Sequence, residues 1–300
     1  MPMDTGFPDS DAQSDFSRAR RRHVTSSLAR RLRREPDDVN HILPFDEVVT
    51  ALGRRGERRL GLDTIELDSI VGTVDRTRDF DRRFRPTSRS ARQRWERIAK
   101  AVRRGQAMPP IDVYRIGSLH FVRDGHHRVS VARATGLDVI EAQVTEILTE
   151  VGADSEVRLH DLALKSHERL FFERVPLPAE QRARIALPHG SWYAGLAEGV
   201  EAWGFRAMQA TGEFMNRERV AREWFEQEFE PVVAMLRDAG LVGKQTEAEV
   251  YARIVSLRYL LLRTHDWDPD VLERLRAELR GPAPRDEDTL THLMRGSLRP

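Results

Sequence analysis

The order of apolar and polar positions divides this chain into a front half of mixed character and a helical back half. Residues 111–116 (IDVYRI) alternate apolar and polar side chains, the period of a half-buried strand. Gly117 and Ser118 then read as a turn, and 119–122 (LHFV) as the returning strand of a hairpin. Residues 129–134 (VSVARA) predict a helix stopped by Gly136, and the β-branched run 138–145 predicts a further strand. Upstream, 64–67 reads as a strand, with Asp68 or Ser69 starting a turn of helix. Residues 44–52 read as a short helix ending near Gly53, and a helix with Trp95, Ile98, Ala99 and Val102 on one face ends at Gly105.

Helical spacing marks the two ends of the chain. From Phe16 to Arg34 the residues Val24, Leu28 and Leu32 fall at i, i+4 and i+8 and predict one apolar face. After a polar connector at 146–156, apolar stripes predict helices over 159–172, from Trp192 to Met208, over 219–238 and over 247–262. Pro231 lies inside the third of these and predicts a kink or a split. Asp266 to Pro269 signals another helix start, and Gly281 to Pro284 ends the ordered part. The expected organisation is a tail at 1–15, a basic helical arm at 16–59, a mixed α/β domain at 60–147, a helical domain at 157–280 and a tail at 281–300. The fold class is therefore α+β.

Composition narrows the chemistry. The chain has 300 residues, 40% of them hydrophobic, enough for one large or two modest domains. No run approaches 18 apolar residues, so no membrane span is expected, and the first residues lack the apolar core of a signal peptide. Cysteine is absent, which excludes disulfides and thiol catalysis and fits a cytoplasmic protein. The net charge is only +1, but residues 1–110 hold 24 basic and 17 acidic residues, a net of +7. A basic front half suits contact with DNA, and Arg20, Arg21 and Arg22 are the candidates for phosphate-backbone contact. Forty-six of the 49 basic residues are arginine, however, a bias that weakens any argument from arginine clusters. A helix simply solvated by its arginines is the competing reading.

The stretch with the most chemistry is Asp124, Gly125, His126, His127 and Arg128, between a strand and a helix. Glycine lets a backbone approach a ligand closely. The first amides of the following helix lack internal partners and attract anions. Arg128, one turn in, has a planar fork suited to phosphate. The two imidazoles add donors, and Asp124 could orient a hydroxyl or hold a metal ion. Equally, the same residues could close a turn and cap a helix. No metal site is expected, because adjacent histidines point apart. The loop from Gly72 to Pro86, rich in Asp and Arg, including Asp75 and Arg76, could close over a ligand or be a solvated run of ion pairs.

Residues 109–117, the Asp124–Arg128 box and residues 129–132 resemble the ParB/sulfiredoxin superfamily, as do Ile65 to Ile70. ParB-type domains carry a Gly-x-x-Arg-x-x-Ala box here that binds nucleotide phosphates. Gly125 and Arg128 match it, Val131 stands at the third element, and Ala132 follows. The resemblance spans about residues 60–147. It implies a ParB-like, nucleotide-binding domain, taking CTP, ATP or ADP with Mg2+, and nucleotide or DNA as partners of a partition-type or transcriptional regulator. The superfamily also contains free-serine kinases, so a kinase of a small hydroxylated substrate, with Asp124 as its catalytic group, is the enzyme alternative; an interaction scaffold is the third. Sulfiredoxin chemistry is excluded, because His126 stands where those proteins have a cysteine. A helix-turn-helix and the family's later Glu-Asn-x-x-Arg motif are missing: Asn40 and Asn216 are the only asparagines, and neither follows Glu.

Overall fold

Six strands form one mixed sheet in the order β1-β3-β5-β4-β6-β2. The computed structural model describes residues 5–33, 41–153, 157–262 and 267. The strands are β1 (Leu43–Pro44), β2 (Arg54–Glu66), β3 (Ile70–Thr73), β4 (Ile111–Ile116), β5 (Leu119–Asp124) and β6 (Val139–Thr149). With helices in both halves of the chain beside this sheet-bearing first half, the protein is α+β. Its compact units are Met1–Ala163 and Leu164–Pro300. That division falls later than the polar connector, because α5 (Asp161–Arg174) begins at its edge. The helix expected after Asp266 and the tail expected from 281 lie outside the described residues.

In the first unit, β4 and β5 form the expected hairpin, and β3 pairs parallel to β5. One face of the sheet carries Ile65, Ile111, Val113, Val122, Ala142 and Val144 against Val129 and Ala132 of α4 (His126–Thr135). The other face is covered by α2 (Phe45–Leu52), whose Phe45 stacks on Tyr114 at 4.6 Å and meets Phe121 edge-on at 5.6 Å. Residues 54–59, expected to belong to a helical arm, are instead the first part of β2. They pair along β6 from Arg54 onward, with bulges near Gly56 and Gly61. The strand is an exposed edge, so both its faces are polar and no alternation marks it.

The N-terminal segment also departs from expectation. Helix α1 (Pro8–Arg33) starts within the supposed tail. Ala12, Phe16 and Ala19 are its buried apolar residues, and Ala12 and Phe16 pack with Trp95, Ala99 and Val131. Phe16 meets Trp95 edge-on at 5.6 Å, and Trp95 donates to the Ser130 hydroxyl at 2.8 Å. Asp11 and Asp15 bind Arg103 near the other end of α3 (Arg92–Arg103), so the two helices run antiparallel. Helix α1 has 26 residues against 12 in α3, about 39 Å against about 18 Å at 1.5 Å per residue. Its last turns therefore pass beyond α3. Val24, Leu28 and Leu32 lie there, 54%, 59% and 79% exposed, and are not the packing face.

In the second unit, α7 (Gly190–Thr211) packs on α8 (Arg217–Trp224) so closely that a Cβ on Gly204 would lie 2.5 Å from Val220. At Pro231 the chain does not split but stays helical from Arg217 to Asp238, with a local change of winding. Residues 225–229 form a π turn and α9 (Glu230–Asp238) follows, since proline cannot donate to the carbonyl four residues back. Trp224, Phe225, Phe229 and Tyr251 fill the core, and Trp224 donates to the Tyr251 hydroxyl at 3.1 Å.

The buried Phe16 of α1 and its exposed apolar residues beyond α3 differ measurably. Phe16→Ala is expected to destabilise the first unit by about 3–5 kcal/mol, and Leu28→Ser to change it by no more than about 0.5 kcal/mol. Urea denaturation of both variants checks this; equal effects would mean that the helix does not pack through Phe16.

Candidate phosphate-binding cleft

Strands β3 and β5 run parallel, so Thr73 and Asp124 end on the same side of the sheet. Helix α4 begins at His126, directly after β5 and Gly125. Carboxyl ends of parallel strands facing a helix N-terminus form a crevice suited to anions. Gly125 makes the corner with φ 100°, in the left-handed region. A Cβ there would lie 2.5 Å from Cγ2 of Ile111, so a side chain is excluded by both dihedral and space. Val129 is the first residue of the helix to donate back, to the Gly125 carbonyl at 3.1 Å. The amides of His126, His127 and Arg128 precede it and have no intrahelical acceptor.

The box residues divide their work differently from the sequence expectation. Arg128 does not hold its fork free for a phosphate. Its Nη1 donates to the carbonyls of Pro109 and Pro110, the latter at 2.7 Å, and its Nη2 donates to Asp124 at 2.7 Å. It clamps the first turn of α4 to the start of β4 and the end of β5. Asp124 is thereby paired, although its side chain remains 66% exposed. His126 is buried, with Nε2 2.6 Å from the Thr73 hydroxyl. That hydroxyl also accepts from the Arg76 amide at 3.1 Å and donates to the Val122 carbonyl at 3.4 Å, which is satisfied when Nε2 carries the proton. His127 lies edge-on to Phe80 at 5.3 Å, and its Nδ1 is buried with no hydrogen-bond partner.

These groups open on a cleft of about 120 Å3 walled by Asp75, Arg76 and Phe80 of the loop after β3, by Arg94 and Ile98 of α3, and by residues 123–128. The space is well below the roughly 300–1,000 Å3 of pockets that enclose a whole small ligand. It suits the charged end of a ligand whose remainder lies outside. Arg76 is bonded to Asp79 at 3.1 Å, and Arg123 lies 3.8 Å from Asp112. Arg94 meets no carboxylate among the described residues. Burial, then the Arg76 charge, pushes the His126 imidazole down to about 4. Burial, then Arg94 and Arg76, pushes His127 down to about 4. Both rings are neutral at pH 7, so the positive potential comes from arginines and helix amides.

The structure thus brings Asp124, Gly125, His126, His127 and Arg128 together, and places the loop with Asp75 and Arg76 beside them. Arg94 was not singled out in the sequence; its signal was the shared helical side with Ile98, one turn on. Arg20, Arg21 and Arg22 do not line this cleft. No group of three or more histidine or acidic residues arranged to hold a metal ion occurs among the described residues, and no helix there is long and apolar enough to cross a membrane.

A family described as a domain of unknown function, DUF4032, matches residues 200–276, within the second unit. No curated protein and no solved structure matches the chain. The family match bears on the helical unit and leaves the cleft to be judged on its own geometry.

His120, buried against the Ser69 hydroxyl at 2.8 Å, is likewise depressed to about 4, chiefly by burial. Above pH 6.5 these imidazoles are neutral in folded and unfolded chains alike, and the stability they permit is fully present. As pH falls toward 4 the unfolded chain binds protons that the folded one refuses, so stability is lost. The unfolding free energy of the first unit is expected to decline from pH 7 to pH 5. His126→Gln, which retains a bond to Thr73, is expected to flatten that decline; an unchanged slope would mean that His126 is not buried as a neutral ring.

Proposed function

We propose that the first unit is a ParB-like nucleotide-binding domain that grips a nucleoside di- or triphosphate by its phosphate end, with Mg2+ accompanying the phosphates. One observation carries the reading: a glycine-opened helix N-terminus adjoins a small cleft with Arg76, Arg94 and His127 in its lining. A phosphate supplies the acceptors that this terminus lacks, at a point where helix amides and arginine charge add. The strand, box and helix around Gly125 follow the order of the ParB/sulfiredoxin box, which supports the family reading. In that reading the protein is a regulator that uses the nucleotide as a switch and acts on DNA.

The exposed carboxylate of Asp124 at the cleft rim favours one second reading, a nucleotide-dependent kinase of a small hydroxylated substrate. There Asp124 would take the hydroxyl proton, while Arg94 and the helix amides stabilise charge on the moving phosphoryl group. Its carboxylate is already held by Arg128 at 2.7 Å instead of standing free toward a substrate, so the regulator stands first.

Calorimetric titration of the full chain with CTP, ATP and ADP in magnesium, followed by product analysis, tests the two. Binding without turnover is the expected result, and phosphoryl transfer to an amino acid or sugar would select the kinase. Gly125→Val is expected to abolish binding, and Arg94→Ala to weaken it about tenfold, the scale of one charge-assisted contact. Full affinity in folded Gly125→Val would place the nucleotide elsewhere.

A further inference from the structure

A second and larger hollow, about 940 Å3, lies in the first unit at the other end of α4, beside Arg133, Gly136 and Asp138. The cleft above sits at the first turn of the same ten-residue helix, about 15 Å away at 1.5 Å per residue. The hollow has a basic side. Arg18 and Arg22 come from α1, where Asp15 also lines the hollow and pairs with Arg18 at 3.4 Å, Arg83 and Arg85 come from the loop after β3, and Arg158 from the segment after β6. Asp81 holds the basic elements together: it accepts from His23 of α1 at 2.9 Å and from the side chain of Arg85 at 2.7 Å. Arg85 reaches on to the Arg22 carbonyl at 2.9 Å and the Ser26 hydroxyl at 2.8 Å.

The hollow also has an acidic side. Glu66 ends β2, Asp68 follows it, and Asp138 precedes β6; the two turns are joined by the Leu67 amide donating to the Asp138 carbonyl at 2.8 Å. Leu137 and Val139, on either side of Asp138 in the chain and each about half exposed, add apolar surface to the lining. Arg133 spans the floor and donates to the carbonyls of Leu67 and Ile70, so no carboxylate hydrogen-bonds its guanidinium. Below it Phe84 holds a left-handed φ of 55°, the one non-glycine residue in that region among those described. Such strain persists only where the surroundings over-determine it. The guanidinium groups of Arg22, Arg83 and Arg158 have no carboxylate partner among the described residues.

We propose that this groove binds a single nucleic-acid strand, with its phosphates along the arginine side and its base edges toward Glu66, Asp68 and Asp138. Cations spread over three separate elements suit successive phosphates better than one compact anion. Carboxylates opposite them repel phosphate but accept hydrogen bonds from the amino groups of bases. The apolar part of the lining gives bases a surface to lie on. This site does not rest on the nucleotide reading of the other cleft, and the basic arm of the sequence acquires its role through Arg22 rather than through Arg20 and Arg21.

The test is fluorescence anisotropy of the full chain with a labelled single-stranded oligonucleotide over a series of salt concentrations. Affinity is expected to fall steeply with salt. Replacing Arg22, Arg83 and Arg158 together with Ala is expected to flatten the slope of log affinity against log salt by about two units, at about 0.7 per single-strand phosphate. These side chains pair with no carboxylate, so the variant is expected to fold, which circular dichroism checks. Asp68→Asn with Asp138→Asn is expected to alter base preference with the slope unchanged. Gly125→Val is expected to leave strand binding intact, which separates this site from the nucleotide cleft. The proposal is overturned if no strand binds at low salt, or if the folded triple variant keeps its slope. Tighter binding of duplex than of single strand, or displacement by pyrophosphate at equal phosphate concentration, overturns it as well.

Discussion

The first unit depends on how Arg128 is spent. Its guanidinium joins two proline carbonyls at the start of β4 and the carboxylate that ends β5 to the first turn of α4. The start of β4, 18 and 19 residues upstream, is thereby held against the corner between β5 and α4. Gly125 can sit at the corner only because nothing projects from it toward Ile111. Together, clamp and glycine leave the helix amides facing the cleft. A charge that could have contacted a ligand instead fixes the geometry in which the backbone can do so.

The loop after β3 is the second constraint. Thr73 and His126 close one end of it, and Asp81 ties its middle to α1 through His23 and to itself through the amides of Arg83 and Arg85. Phe80, between these anchors, lies against both histidines of the box. The docking of α1 and the wall of the cleft are therefore parts of one bonded network. The arginines that make the front half basic are divided between this network and the open groove, and counting them could not separate the two uses.

What was legible in the sequence follows from physical pattern. The β4–β5 hairpin and α4 were readable, since one-sided burial imposes period 2 on strands and Gly136 marks a helix end. The early part of β2 was not, because an edge ribbon wet on both faces shows no alternation. The packing face of α1 was missed because two of its three buried apolar residues are alanines, while the more conspicuous Val24, Leu28 and Leu32 run past the end of α3. At the site, the box and the neighbouring loop were found from residue type and spacing. The clamp was invisible, because the partners of Arg128 are backbone carbonyls, and a carbonyl has no signature in a sequence.

The central claim is that the amides at the start of α4 form the anion site. The direct measurement is a titration of 15N-labelled protein with pyrophosphate, following backbone amide resonances. The account predicts the largest shifts at His126, His127 and Arg128, saturating together, and their loss in Gly125→Val. Shifts confined to exposed arginine side chains, with those three amides unmoved, would contradict it.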